Sequence, residues 1–254
     1  MRIVIIGSGN TANVLGRKII SAGHEVVQVA GRNEEACAEL ASLFNCTFTI
    51  NWSFIDVHAD IYIVAITDTA LEGINTKLRL DKKLVVHTAG SVTKNVLKNV
   101  STNYGVLYPL QSLRKELNEL PAIPFLIDAN TSDNITLIKD FAETISDKVQ
   151  VADDEERKKL HLAAVMVNNF TSHLYALAEE FCINERVDFE ILYPLIKETV
   201  ERIENGSPGD LQTGPAIRGD ESTIEMHLHL LKNYPHLSNI YTRLTESIKS
   251  FYKK

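Results

Sequence analysis

The sequence is poor in cysteine, with 3 among 254 residues. Cys37, Cys46 and Cys182 form no CxxC pair and no metal-ligand spacing, which excludes a disulfide scaffold and a zinc module. Isolated thiols of odd number fit a reducing cytosol. No apolar run approaches the ~20 residues of a membrane-spanning helix. The opening MRIVIIG is too short for a secretory leader and runs directly into glycines. Clustered positive charge is also missing: 26 Lys and Arg stand against 33 Asp and Glu, a formal net charge of −7, and the one basic cluster is Arg157-Lys158-Lys159. Nucleic acid and anionic membranes both demand such clusters, so neither is expected as a partner. What remains is ordinary globular composition, 44% hydrophobic and 23% charged, without an internal repeat or low-complexity tract. A chain of this length hides roughly 70–75% of its unfolded surface and needs no metal or disulfide to hold it. The expectation is a cytoplasmic protein that handles a small molecule.

The N-terminal part alternates short β-branched runs with helical patterns. Strands are expected at Arg2–Ile6, Glu25–Ala30, CTFTI (46–50), Asp60–Ile66, Lys83–His87, Tyr104–Leu107, Pro124–Ile127 and Lys148–Val151. Helices are expected at Asn10–Ala22, Glu34–Leu43 and Thr131–Ser146. DIYIVAI is apolar throughout, as a central parallel strand covered on both faces must be. Strands alternating with helices imply βαβ units and an α/β fold, a doubly wound parallel sheet of Rossmann type. Past Ala152 no strand pattern recurs. Glu155–Cys182 reads as one long helix, apolar on most sides and therefore expected to lie buried, and Val187–Glu204, Glu221–Lys232 and Leu237–Tyr252 as further helices. The glycines and prolines of Asn205–Asp220 speak against helix there. The chain divides into 1–152, a dinucleotide-binding domain, and 153–254, an all-helical domain for substrate and dimerisation.

The first strand runs into Gly7-Ser8-Gly9-Asn10-Thr11-Ala12, a G-x-G-x-x-A loop between strand and helix. Gly7 permits the turn, Gly9 lets a pyrophosphate approach the backbone, and the helix N-terminus offers free N–H groups. Ala12 and Gly16 leave room for close helix–sheet contact. At the second strand's end an acid would bind an NAD ribose, but the chain reads Gly31-Arg32-Asn33, where Arg32 either pairs with a 2′-phosphate or is a solvated loop residue. NADP(H) is therefore expected over NAD(H), with Asn33 open to a helix-capping role. Other strand ends line the same crevice: Thr67-Asp68-Thr69, His87-Thr88-Ala89-Gly90-Ser91 and Tyr108-Pro109-Leu110-Gln111-Ser112. Asp68 and Ser91 read equally as caps. His87 is either a contact to nicotinamide or substrate, or a satisfied core histidine.

On the long helix, His161, Asn168 and Ser172 fall within roughly 40° of one another, with Asn169 further round. Such a polar stripe either bonds to the sheet domain or a second subunit, or faces the reaction site, with His161 as proton donor and Asn168 orienting a carbonyl. In the loop before the third tail helix, Arg218 either anchors a substrate carboxylate or pairs with Asp220, itself a candidate cap. His227 and His229 point about 200° apart on a helix, which excludes a shared metal site.

GSGNTA, VVHTAGS (85–91), LYPLQS (107–112) and LQTGPAIRGD (211–220) together resemble a family of Rossmann-like NADP-dependent oxidoreductases with a helical C-terminal domain of unknown function. The family is related to pyrroline-5-carboxylate reductases, deazaflavin-dependent NADP oxidoreductases and β-hydroxyacid dehydrogenases. The resemblance spans essentially the whole chain and implies a homodimer formed through the C-terminal helices. Two positions depart from it. Tyr108 stands where the family has His, and Val165 stands where β-hydroxyacid dehydrogenases carry Lys before the pair matching Asn168-Asn169, so their lysine-assisted mechanism does not carry over. The expected activity is NADP(H)-dependent hydride transfer to or from C=O or C=N of a small carboxylate-bearing substrate. Gly7, Ser8, Gly9, Asn10, Thr11, Arg32, Thr67 and Asp68 would hold cofactor, His161, Asn168 and His87 would serve the chemistry, and Arg218 and Ser172 would bind substrate. A non-catalytic, dimeric NADP(H) sensor is the alternative.

Overall fold

The Val- and Ile-rich runs become the middle of one sheet. The computed structural model describes residues 1–116 and 119–253. Its strands are β1 (Arg2–Ile6), β2 (Glu25–Ala30), β3 (Thr47–Thr49), β4 (Ile61–Val64), β5 (Asp81–His87), β6 (Ser101–Pro109), β7 (Phe125–Ala129) and β8 (Val149–Val151). Their order is β3-β2-β1-β4-β5-β6-β7-β8. The chain winds outward from β1 to β3, returns to place β4 against β1, and then winds the other way. The crevice beyond that reversal is where open α/β sheets bind ligands. Ile3 and Ile5 of β1 pack on one face of the sheet, Val4 and Ile6 on the other, all fully buried. Each such side chain contributes about 1.5–3 kcal/mol by leaving water.

The expectation of an all-parallel sheet is corrected at one place: β7 runs antiparallel to β6, with Tyr108 opposite Leu126. Parallel neighbours need a crossover, usually helical. The connection from β6 to β7 contains no helix among its described residues.

Helix α1 (Asn10–Ser21) buries Ala12, Val14, Leu15 and Ile19, and α2 (Glu34–Phe44) is capped by the Asn33 side chain accepting from Ala36 N–H at 2.9 Å. Gly16 does serve close packing, but its neighbour is Phe44 of α2 rather than the sheet: a Cβ there would sit 2.2 Å from the ring. The short α3 (Asp68–Glu72) follows β4, and α4 (Ser132–Ile145) joins β7 to β8.

The long helix is α5 (Asp154–Ala164), a π-helical turn (Val165–Phe170) and α6 (Thr171–Glu185). Two compact units divide inside it, Met1–Asn169 and one that begins at Phe170. The expected burial of this helix does not hold in the single chain: Leu162, Met166, Val167 and Phe170 are 62%, 57%, 74% and 58% exposed. Apolar side chains left on a helix surface in this number need another surface to cover them.

The second unit continues with α7 (Tyr193–Asn205), α8 (Pro215–Arg218), α9 (Glu221–Leu230) and α10 (Pro235–Tyr252). Its buried apolar residues are Cys182, Ala216, Ile224 and Leu231. His227 Nδ1 and Tyr241 Oη, 2.8 Å apart, tie α9 to α10. The Gly/Pro segment does hold a helical turn, α8, contrary to the sequence reading. Pro215 starts it with its preset φ, and Gly219 stops it at φ +67°, a left-handed conformation that favours glycine. Among the described residues no helix is long and apolar enough to cross a membrane, and no cluster of His, Cys, Asp and Glu could hold a metal ion.

Candidate functional site

Beyond the carboxyl ends of β1, β2 and β4 lies a cleft of about 380 Å³, lined by Gly7, Ser8, Gly9, Gly31, Arg32 and Thr67. Gly7 is there because nothing else fits. Its φ is +132°, and a Cβ would stand 2.0 Å from the Ala65 carbonyl oxygen. Its N–H donates to Ala30 O at 2.7 Å, so the loop is drawn against both neighbouring strands. Gly9 is the contrary case: a Cβ would meet nothing within 4 Å, because the space beside it is open. Gly9 caps α1 without a side-chain hydrogen bond, which leaves the first-turn N–H groups and the positive end of the helix dipole facing that space. A dinucleotide pyrophosphate fits this cradle. Arg32 is exposed and has no ion-pair partner among the described residues, while Trp52 and Lys77 also line the cleft. Neither was singled out from the sequence. Both lie in stretches without glycine signatures, and tertiary placement alone brings them here.

A second cleft, about 590 Å³, is lined by Thr11 of the glycine loop, Thr88 after β5, Tyr108 at the end of β6, and His161, Asn168 and Asn169 of the long helix. Its size suits a small ligand. Tyr108 Oη lies 2.8 Å from His161 Nδ1, with the rings edge to face at 5.8 Å. The pair rests on Gly90, where a Cβ would come within 2.9 Å of both Tyr108 Cζ and His161 Nδ1. Burial raises the Tyr108 phenol above its ordinary value, and the charge of Asp68 adds to this against the opposing pull of Arg157.

The position of His161 is set one turn earlier. Arg157, fully buried, donates to Val92 O at 2.5 Å and to Asp154 Oδ1 at 2.7 Å. Asp154 in turn accepts from the Lys94 N–H and the Thr93 hydroxyl. Asp153 caps the helix by accepting from the N–H groups of Glu155 and Glu156. The start of α5 is therefore tied to the loop after β5. In the π turn, i→i+5 bonding widens the helix, so a count of 100° per residue overruns. Asn168 and Asn169 both reach the cleft wall, whereas Ser172, past the widened turn, is exposed on α6 in the second unit.

Several candidates lie elsewhere. His87 is fully buried on β5 and lines neither cleft. Its Nδ1 accepts from the Ala89 N–H at 3.2 Å, and burial, then the nearby Arg157 charge, lowers its pKa to about 4. Its Nε2 is buried and has no hydrogen-bond partner among the described residues. Asp68 accepts from the Ser91 hydroxyl, so these two hold each other instead of capping helices, and Asp68 is absent from the cleft wall. Asn10 begins α1 and is exposed. Arg218 ends α8, exposed, in the second unit. Asp220 caps α9 by accepting from the Thr223 N–H and hydroxyl, and these bonds lower its pKa, with Arg218 helping. A further cleft of about 580 Å³, bordered by Lys18, Thr144 and Lys148, holds none of the candidate residues.

Residues 2–90 match the family described as NADP oxidoreductase, coenzyme F420-dependent, and residues 123–248 match the domain of unknown function DUF2520. No curated protein matches the sequence. Among solved structures, the Bacteroides fragilis protein BF3122, named as a candidate NADP oxidoreductase, is 38% identical with a TM-score of 0.91, over 98% of both chains. A Streptococcus pyogenes 1-pyrroline-5-carboxylate reductase shares the fold at 15% identity and TM-score 0.64, over 98% of both chains. A Myxococcus stipitatus imine reductase in complex with NADP+ does so at 14% and 0.63, over 98% of this chain and 92% of that one. The chain belongs to the family that joins an N-terminal NADP oxidoreductase domain to a C-terminal DUF2520 domain.

Proposed function

We propose that the protein is an NADP(H)-dependent oxidoreductase that moves hydride to or from a C=N or C=O bond of a small substrate. One observation carries this reading: Thr11 of the cofactor-type loop and the Tyr108–His161–Asn168 group line the same cleft. Gly7, Ser8 and Gly9 of the cleft wall, with Asn10 and Thr11 at the start of α1, would hold the pyrophosphate, and Thr67 the far wall. Arg32 and Lys77 would meet a 2′-phosphate, which favours NADP(H) over NAD(H). When bound, a reduced nicotinamide supplies the hydride. The amides of Asn168 and Asn169 would orient the acceptor bond, and His161 would serve proton transfer beside it. Among its described lining residues this cleft has no Lys or Arg to anchor a substrate carboxylate.

The working unit is proposed to be a cytoplasmic homodimer. Ile191, Leu195 and Val200 around α7 are 74%, 60% and 52% exposed, an apolar surface suited to a second copy through the C-terminal helices. Sedimentation should give about twice the 28.4 kDa chain mass, and a monomer at micromolar concentration would contradict it. The enzyme reading is tested by following NADPH consumption with a panel of cyclic imines and ketones. Binding without turnover of any member would favour a dimeric NADP(H) sensor.

A further inference from the structure

We propose that Tyr108 is the catalytic group that hands a proton to the substrate, with His161 acting through it as a positioning and resupply residue. The inference rests on the oxidoreductase reading above. Among the described residues lining the Thr11–Asn169 cleft, Tyr108 and His161 are the titratable side chains. A proton donor within the cleft is therefore one of these two, and their 2.8 Å hydrogen bond makes them a unit. His161 is half-buried and so reaches water, whereas Tyr108 is 9% exposed and opens onto the cleft. Burial keeps the phenol protonated at neutral pH.

Packing fixes the pair in place. Gly90 leaves no space beneath the two rings, and the buried Arg157, one turn before His161, locks the helix to Val92. Such a pair needs no rearrangement when charge develops on the substrate. With His161 in its Nδ1–H tautomer, that nitrogen donates to Tyr108 Oη, which leaves the phenolic O–H free for the cleft.

In reduction, a reduced nicotinamide dinucleotide is the two-electron donor. The substrate carbon gains the new C–H bond and the C=N or C=O π pair moves onto nitrogen or oxygen. That atom bonds the Tyr108 proton as the phenolic O–H breaks, its electron pair remaining on Oη. Oη then takes the Nδ1 proton of His161 while Nε2 gains one from water, and exchange of the ring protons with solvent returns the imidazole to its Nδ1–H tautomer. The net addition is one hydride and one solvent proton.

The test compares wild type, Tyr108→Phe and His161→Gln, with 1-pyrroline and cyclohexanone as probes. NADPH binding, thermal stability and the solvent deuterium isotope effect on kcat are read beside turnover. Nitrogen NMR of His161 in the cofactor-free protein supplies a readout independent of activity. Tyr108→Phe should bind NADPH and fold as wild type does. Its kcat should fall about 10²–10⁴-fold with KM for NADPH unchanged, the wild-type isotope effect should change, and the Nδ1 resonance should move. His161→Gln should lose less and keep an isotope effect, since the phenol remains. Retention of kcat within about threefold in Tyr108→Phe, against the general-acid range, overturns the inference while leaving the oxidoreductase reading intact. An Nδ1 resonance unmoved in Tyr108→Phe overturns it as well. Wild-type protein that binds NADPH and reduces neither probe overturns both.

Discussion

Replacing Gly9 with alanine separates cofactor binding from folding. The residue sits at φ −89°, ψ −169°, which alanine adopts freely, and a Cβ meets nothing within 4 Å. Alanine is a poorer N-cap than glycine, by up to about 1 kcal/mol. The smaller entropy of the unfolded chain offsets about 0.4–1 kcal/mol of that. Cofactor-free stability should therefore stay within about 1 kcal/mol of wild type. With NADPH at about 100 times its Kd, the wild type gains about 2.7 kcal/mol. At about 2–4 °C per kcal/mol for a chain of this size, Tm rises about 5–10 °C. In the variant the methyl group fills the space that a pyrophosphate needs. Loss of even one or two charge-assisted bonds, at about 1.5–3 kcal/mol each, removes most of that shift. Thermal melts with and without NADPH, paired with urea unfolding, measure both quantities. Gly7→Ala is the control with the opposite sign: its Cβ strikes the Ala65 carbonyl, so it should be destabilised without any cofactor. A Gly9→Ala protein that shifts with NADPH as far as wild type would refute the placement of the pyrophosphate.

Gly90→Ala should wedge Tyr108 from His161, because a contact of 2.9 Å must open towards an ordinary 3.5–4.0 Å. About 1–3 kcal/mol of stability and about 100-fold in turnover should be lost, and unchanged kcat would contradict the close contact. Arg32→Ala should weaken NADPH about 10- to 100-fold, the worth of one charged hydrogen bond, and leave NADH alone; equal loss for both by calorimetry would remove Arg32 from 2′-phosphate recognition. His87, lowered from 6.5 to about 4 by burial and then by Arg157, with Asp154 and Asp68 opposing, contributes stability that is full above its unfolded value. As pH falls from 6.5 to 4 the unfolded chain takes up the proton first, so about 3 kcal/mol should be lost. His87→Gln should flatten that part of the profile measured by denaturant unfolding, and an identical slope would show that burial does not lower the pKa of His87.

The sheet was readable because its strands are short apolar runs and its turns carry glycine, two signals with distinct local causes. Runs such as IVII and IYIV have one reasonable fate, buried on both faces. The direction of β7 was not readable, since strand polarity depends on what the 110–124 connection does in space. Nor was the π turn: Val165–Phe170 looks like ordinary apolar helix, and its widened register breaks the 100° count by which Asn169 was set apart from Asn168, although both line the cleft. For His87 the sequence left core and site open, and its full burial was not legible from a strand-end position. Tyr108 lay at a strand end, where ligands gather, but its partner is 53 positions away. No spacing rule joins those two residues. Trp52 and Lys77 were hidden for the same reason.

A crystal structure of the protein with NADP+ bears most directly on the central claim. The account predicts the pyrophosphate on the first-turn N–H groups of α1 beside Gly9. The 2′-phosphate should lie within hydrogen-bond reach of Arg32 or Lys77, and the nicotinamide in the cleft of Tyr108 and His161. A cofactor bound away from the glycine loop, or a nicotinamide ring turned away from that pair, would contradict it.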